Sequence, residues 1–189
     1  MPDLVALFPG RGRLPACIGY SDRTYTIPAT LGQLVGEFAR RVQDRLRAHL
    51  ADQRPDYDWT VEATIAGTPV DVVGRAGETV LLVELEWRRA DPADNAAKLF
   101  RYLARGDLDV ERAVVRQVFT GYYDLASGGV SAKRENAEFV GGVAADDLAT
   151  LSYEALDLAI DPPKRGGEPP PGWEAAVADA AAAIAASLP

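Results

Sequence analysis

The sequence holds one cysteine, Cys17, and one histidine, His49. A lone thiol closes no intramolecular disulfide, and with a single imidazole it cannot complete a cysteine/histidine zinc site. No stretch approaches the ~18 consecutive apolar residues of a membrane span, and the N-terminus lacks the basic-then-apolar pattern of a secretory signal. The expectation is a soluble, cytoplasmic chain with no membrane partner. A Gly-rich phosphate loop, a nucleophile elbow and a His-based metal motif are also missing, which argues against nucleotide-loop, serine-hydrolase and zinc-hydrolase chemistry. No internal repeat is visible, so a solenoid is excluded.

Lysine is scarce as well: Lys98, Lys133 and Lys164 stand against 17 arginines. The 28 acids against 20 bases give a net charge of -8, a field that on average repels nucleic acid. Aspartate outnumbers glutamate 17 to 11, and with arginine in place of lysine this resembles surfaces adapted to high salt. A halophilic or otherwise high-GC source is therefore expected, and salt screening then weakens the case against a DNA partner. The 189 residues, 48% of them hydrophobic, suffice for one compact domain that buries roughly 70% of its unfolded surface.

Breakers from Pro2 to Pro28 forbid a long helix at the start, and residues 20–27 fit a short strand in an arm lying on the core. Thr30 and Gln33 form a capping-box pattern, after which Leu34, Phe38, Val42, Leu46 and Leu50 recur at helical spacing. This predicts a helix over 31–51. Alternation then begins: Trp59, Val61, Ala63 and Ile65 should share one side of a strand, followed by short apolar runs over 69–75 and 79–87 in a three-stranded meander. Asp91-Pro92 opens a second helix that closes at Gly106. Residues 113–119 read as a fourth strand, 131–140 as helix, and 151–160 as either helix or strand.

The expected fold class is α/β, a mixed sheet of at least four strands flanked by the 31–51 and 92–105 helices. Residues 1–160 form one domain with its core at 31–123. A Pro/Gly-rich linker at 161–172 leads to a terminal helix over 173–189, packed on the core.

Within this frame three acids are out of place. Asp71 lies in one apolar strand, and Glu84 and Glu86 lie in the next, on the same face as Leu82. A buried carboxylate without a partner is expensive. If the hairpin turns at residues 77 and 78, Asp71 lies opposite Glu84 with Cβ atoms roughly 5 Å apart, and like charges so placed need a cation between them. Oxygen ligands alone favour Mg²⁺, Mn²⁺ or Ca²⁺ over zinc. An open sheet face, with both glutamates in water, is the other reading.

These residues resemble the motif of the PD-(D/E)XK nuclease-like superfamily of restriction and repair enzymes: Pro69 and Asp71 on the second strand, then Glu84-Leu85-Glu86 on the third. The order helix, meander, helix, strand over 31–123 is similar as well. Glu86 stands where lysine is usual, and some restriction enzymes of the superfamily resemble this sequence in that respect. The resemblance implies a restriction endonuclease-like core and metal-dependent phosphodiester hydrolysis, with DNA as the expected substrate. Asp71 and Glu84 would hold Mg²⁺ or Mn²⁺, and Glu86 would orient or deprotonate water or ligate a second ion. It also implies Lys98 as a source of the missing lysine, although Lys98 lies about 150° from the apolar stripe of its helix, which suits a solvated residue. Arg88 and Arg89, directly after the third strand, are candidates for phosphate contact, or else for local pairing with Asp91 and Asp94. Glu37, Glu62 and His49 are weaker candidates, and Tyr122 and Tyr123 read as packing residues. A non-catalytic DNA-binding or complex-forming protein on the same fold is the alternative, and a homodimer is compatible with either.

Overall fold

The computed structural model describes residues 29–108, 110–164 and 167–189, with side chains from Gly36 onward. The expected arm and its strand at 20–27 lie outside these residues. Five strands form one mixed sheet in the order β1 (Asp58–Ile65), β2 (Thr68–Ala76), β3 (Thr79–Glu86), β4 (Arg112–Thr120) and β5 (Leu151–Leu158). The first three are an antiparallel meander; β4 runs parallel to β3, and β5 parallel to β4. The segment that sequence left open between helix and strand is thus the edge strand β5.

Two helices cover each face. On one lie α1 (Ala29–Gln53) and α4 (Trp173–Ala186), where Phe38, Val42, Leu46 and Leu50 of α1 and Val177 and Ile184 of α4 meet Val72, Leu81, Val83 and Leu85 of the sheet. On the other lie α2 (Pro92–Arg105) and α3 (Ala132–Asp147), where Ala96, Leu99 and Phe100 of α2 pack on Val70, Val73, Val80 and Leu82. The α2 boundaries follow from local chemistry. Asp91 caps the N-terminus by accepting from the Asp94 N–H at 3.2 Å, Pro92 occupies the first turn, and Gly106 closes the helix at φ 71°. No helix among the described residues is long and apolar enough to cross a membrane.

One expectation about β1 is corrected. Trp59 and Val61 pack toward α1, but Ala63 and Ile65 pack toward α2, so the strand does not keep one face. The exchange falls at Glu62, whose φ of 50° turns the pleat over. Its neighbour β2 changes sides at the same level, with Val72 toward α1 and Val70 toward α2. Pairing between the strands skips one step there, from Val61↔Val72 to Ala63↔Val70, and the residue at the switch point of β2 is Asp71.

Candidate functional site

The β2–β3 hairpin turns at residues 77 and 78, since Ala76 pairs with Thr79, and its regular pairing ends at Val72↔Val83. One step further the register sets Asp71 beside Glu84. There the Asp71 side chain replaces the backbone ladder: Oδ2 accepts the Leu85 N–H at 2.7 Å, and Oδ1 accepts Gln43 Nε2 at 2.5 Å. Glu84 and Glu86 point to the opposite face from Val83 and Leu85, and their side chains are 2% and 0% exposed. Asp71 is only half-buried, and the exposed Glu62 and Arg89 act on its charge, so the cluster opens toward solvent on that side.

The two glutamates differ in what holds them. Glu86 Oε1 accepts Gln117 Nε2 at 2.9 Å, and Gln117 also donates to Pro92 O at 3.0 Å and accepts Tyr153 Oη at 2.9 Å. Glu86 Oε2 has only Arg89 Nε at 3.7 Å, an ion pair too long for a hydrogen bond. Glu84 Oε1 has no partner at all. Two buried carboxylates therefore each keep an oxygen unsatisfied, a state that native proteins rarely leave without use.

Their proton affinities follow. Burial pushes Glu84 up to about 8, with Asp71 and Glu86 adding to the shift and Arg89 opposing it. Burial lifts Glu86 to about 6 against the Gln117 hydrogen bond and Arg89. Asp71 is raised by burial too, opposed by the Leu85 N–H, Arg89 and Gln43. Acids that serve only as structural ion-pair partners move the other way, whereas burial here favours the protonated form of all three neighbouring acids.

Of the other residues singled out in the sequence, Arg89 joins the cluster: its guanidinium pairs with Glu86 and favours the charged form of all three acids. Its backbone is clasped by one buried phenol, because Tyr123 Oη accepts the Arg89 N–H at 3.0 Å and donates to Arg89 O at 3.4 Å. Tyr123 thus does more than pack. Arg88 turns away, donating to Pro162 O and stacking over the Tyr122 ring, and so ties Pro162 to the end of β3. Lys98 is half-buried on α2 and paired with Asp94 at 2.6 Å one helical turn away, and it is not among the charges that act on Asp71, Glu84 or Glu86. The physical reason is the phase already read in the sequence: a residue opposite the stripe of Ala96, Leu99 and Phe100 cannot also face the sheet. Glu37 is exposed, and His49 leaves Nε2 buried without a partner on α1.

Sequence reasoning missed Gln43 and Gln117. Gln43 stands at helical spacing with Leu46 and Leu50, and a polar residue in that row is a signal of inward use. Gln117 interrupts the apolar run of β4 and lies beside Glu84 in the parallel register.

Among the described residues no three acidic, cysteine or histidine side chains surround a single point as a preformed metal cage. Mg²⁺ does not require one, since it commonly takes one or two carboxylates and fills its octahedron with water and phosphate oxygens. The all-oxygen donor set and the free Glu84 and Glu86 oxygens fit such an ion. Comparison with protein families and with curated proteins adds no relative: no family model matches the chain, and no curated protein matches it.

Proposed function

We propose that this chain is a metal-dependent phosphodiester hydrolase acting on DNA, with a PD-(D/E)XK nuclease-like core and Glu86 at the usual lysine position. The observation that carries the proposal is the inaccessible pair Glu84 and Glu86, each with an unpartnered oxygen, beside Asp71 at the switch point of β2. Burying that much potential charge is costly unless a proton or a cation compensates it, and a bound cation would take the place of the proton. The succession α1, meander, α2, β4, with β4 parallel to β3, supports the core.

Asp71 and Glu84 would hold Mg²⁺ or Mn²⁺. The bound ion would polarise a phosphate oxygen and acidify a water molecule. Glu86, fixed through Oε1 by Gln117, would take a proton from the attacking water on Oε2, which has no hydrogen-bond partner and only the long ion pair to Arg89. Arg89, exposed on its outer side, supplies the positive charge that Lys98 does not bring and can meet the scissile phosphate. A second reading, a DNA-binding or complex-forming protein without catalysis, is favoured by one observation: Glu86 replaces the lysine while Lys98 is held by Asp94.

The test incubates the purified chain with plasmid DNA and with RNA, in Mg²⁺ or Mn²⁺, at low and at molar KCl. DNA cleavage is expected, and Asp71→Asn and Glu84→Gln should each abolish it while leaving circular dichroism unchanged. Cleavage that survives in both variants refutes the assignment. Calorimetric Mg²⁺ binding without cleavage supports the second reading, and no metal binding even at tens of millimolar reduces the cluster to a structural feature.

A further inference from the structure

The outer face of α2 and α3 carries apolar surface and charge that nothing in the chain's described residues uses. Because β3, β4 and β5 are mutually parallel, the two helices run the same way, side by side on one face of the sheet. Phe139 and Val143 form a ridge on α3, 71% and 51% exposed. On α2 the exposed row is Ala97, Arg101 and Ala104, and between the helices runs a groove of about 440 Å³ that reaches Phe100 and Val140.

Charge is segregated between the same two helices. Near its C-terminus α2 carries Arg101 and Arg105, whereas the last turn of α3 carries Asp146 and Asp147. Acids at a helix C-terminus oppose the macrodipole, and neither aspartate has an ion-pair partner among the described residues. Both charged ends lie at one height, since Arg101 and Asp147 border the same groove.

We propose that this face binds a second copy of the chain in an isologous homodimer, with the two-fold axis parallel to α2 and α3. Such an axis keeps every residue at its height and lays α2 of one protomer over α3 of its partner. The Phe139–Val143 ridge then lies against the partner's α2 at the level of the partner's Ala97, a large-on-small fit. Arg101 and Arg105 come opposite the partner's Asp146 and the partner's Asp147, which neutralises the misplaced acids. A heterologous protein partner would need to supply both complements; a second copy already has them.

Sedimentation velocity of the full chain from about 1 to about 100 µM, the range in which an interface of modest size is half-populated, tests the proposal. A concentration-dependent dimer is expected. Phe139→Glu should weaken association by more than about 30-fold, as loss of a central aromatic anchor does. Arg101→Glu and Asp147→Arg should each weaken it, and the double variant should recover the dimer, a rescue that a folding defect cannot produce. The rescue also stands as the test if Phe139→Glu fails to fold. A chain that stays monomeric throughout the range, a dimer indifferent to Phe139→Glu, or folded charge variants without rescue would overturn the proposal, and a monomer would leave the face to another partner.

Discussion

Gln43 Nε2 donates to Asp71 Oδ1 at 2.5 Å and ties the switch point of β2 to α1, across the sheet from the face that carries Glu84 and Glu86. Asp71 therefore belongs to both layers: Gln43 fixes one oxygen from the helix side, and the Leu85 N–H fixes the other from β3. Gln43→Leu keeps the volume and removes the donor. It should cost about 1–2 kcal/mol in denaturant unfolding, because a half-buried carboxylate loses one of its two hydrogen bonds. Metal affinity should fall as well, since Asp71 would hold its proton more tightly and lose its orientation. Unchanged stability and unchanged Mg²⁺ titration would mean that this bond positions nothing.

Glu84 gives the protein a distinctive pH dependence. In the unfolded chain the side chain titrates near 4.5, and in the fold near 8. Between these values the native state binds a proton that the unfolded state lacks, so stability falls as pH rises through that window and levels off above it. Glu86 adds a smaller fall between 4.5 and about 6. The unfolding midpoint of the metal-free protein should therefore drop between about pH 5 and about pH 8, by an amount on the order of a few kcal/mol in stability. Glu84→Gln should flatten the profile and exceed the wild type at the alkaline end, since the amide carries no charge to desolvate. Stability gained on removing a site residue is the signature of a group kept for function. Mg²⁺ should reverse the trend and release close to one proton per ion at neutral pH, measurable by calorimetry in buffers of different ionisation enthalpy. A flat wild-type profile would show that Glu84 is ionised and hydrated.

Much of the frame is legible in the sequence because it rests on two periods. The helical spacing of Phe38, Val42, Leu46 and Leu50 and the Asp91-Pro92/Gly106 bracket mark α1 and α2 to within about two residues. The turn at 77 and 78 follows from where the apolar runs stop. The sidedness of β1 and β2 was not legible, because it turns on one backbone angle at Glu62, a residue type that gives no sign of positive φ. Sequence parity brought Asp71, Glu84 and Glu86 into one neighbourhood, whereas Gln43 and Gln117 come from elements 28 and 31 residues away from the acids they serve. No local pattern carries that information; only the tertiary register does.

Adjacent arginines should separate in their salt response. Arg89 faces the acids with half its side chain in solvent, whereas Arg88 is committed to Pro162 O and Tyr122. If Arg89 meets a phosphate, Arg89→Gln should reduce the slope of log affinity for DNA against log salt by about one unit, with little change in unfolding. Arg88→Gln should leave the slope intact and instead loosen the chain around Pro162, visible as faster proteolysis there. Equal slopes for wild type and Arg89→Gln would remove Arg89 from the interface.

The two glycines of α3 give opposite outcomes and test how Glu86 is held. Gly142 has open space where a Cβ would stand, so Gly142→Ala should stabilise the helix by about 0.5–1 kcal/mol through propensity alone. At Gly141 a Cβ would overlap the Tyr153 ring, and the same propensity gain is outweighed. Overpacking of this kind costs about 1–3 kcal/mol, so Gly141→Ala should lower the unfolding midpoint. The effect should reach the site, because Tyr153 Oη donates to Gln117 Oε1, and Gln117 in turn fixes Glu86. Displacing the ring frees the Gln117 amide to rotate and removes the hydrogen bond that holds the Glu86 proton affinity down. The acidic limb of any cleavage profile should then move to higher pH in Gly141→Ala and in Tyr153→Phe, but not in Gly142→Ala. A shift common to all three would trace to the helix rather than to the Tyr153–Gln117–Glu86 chain.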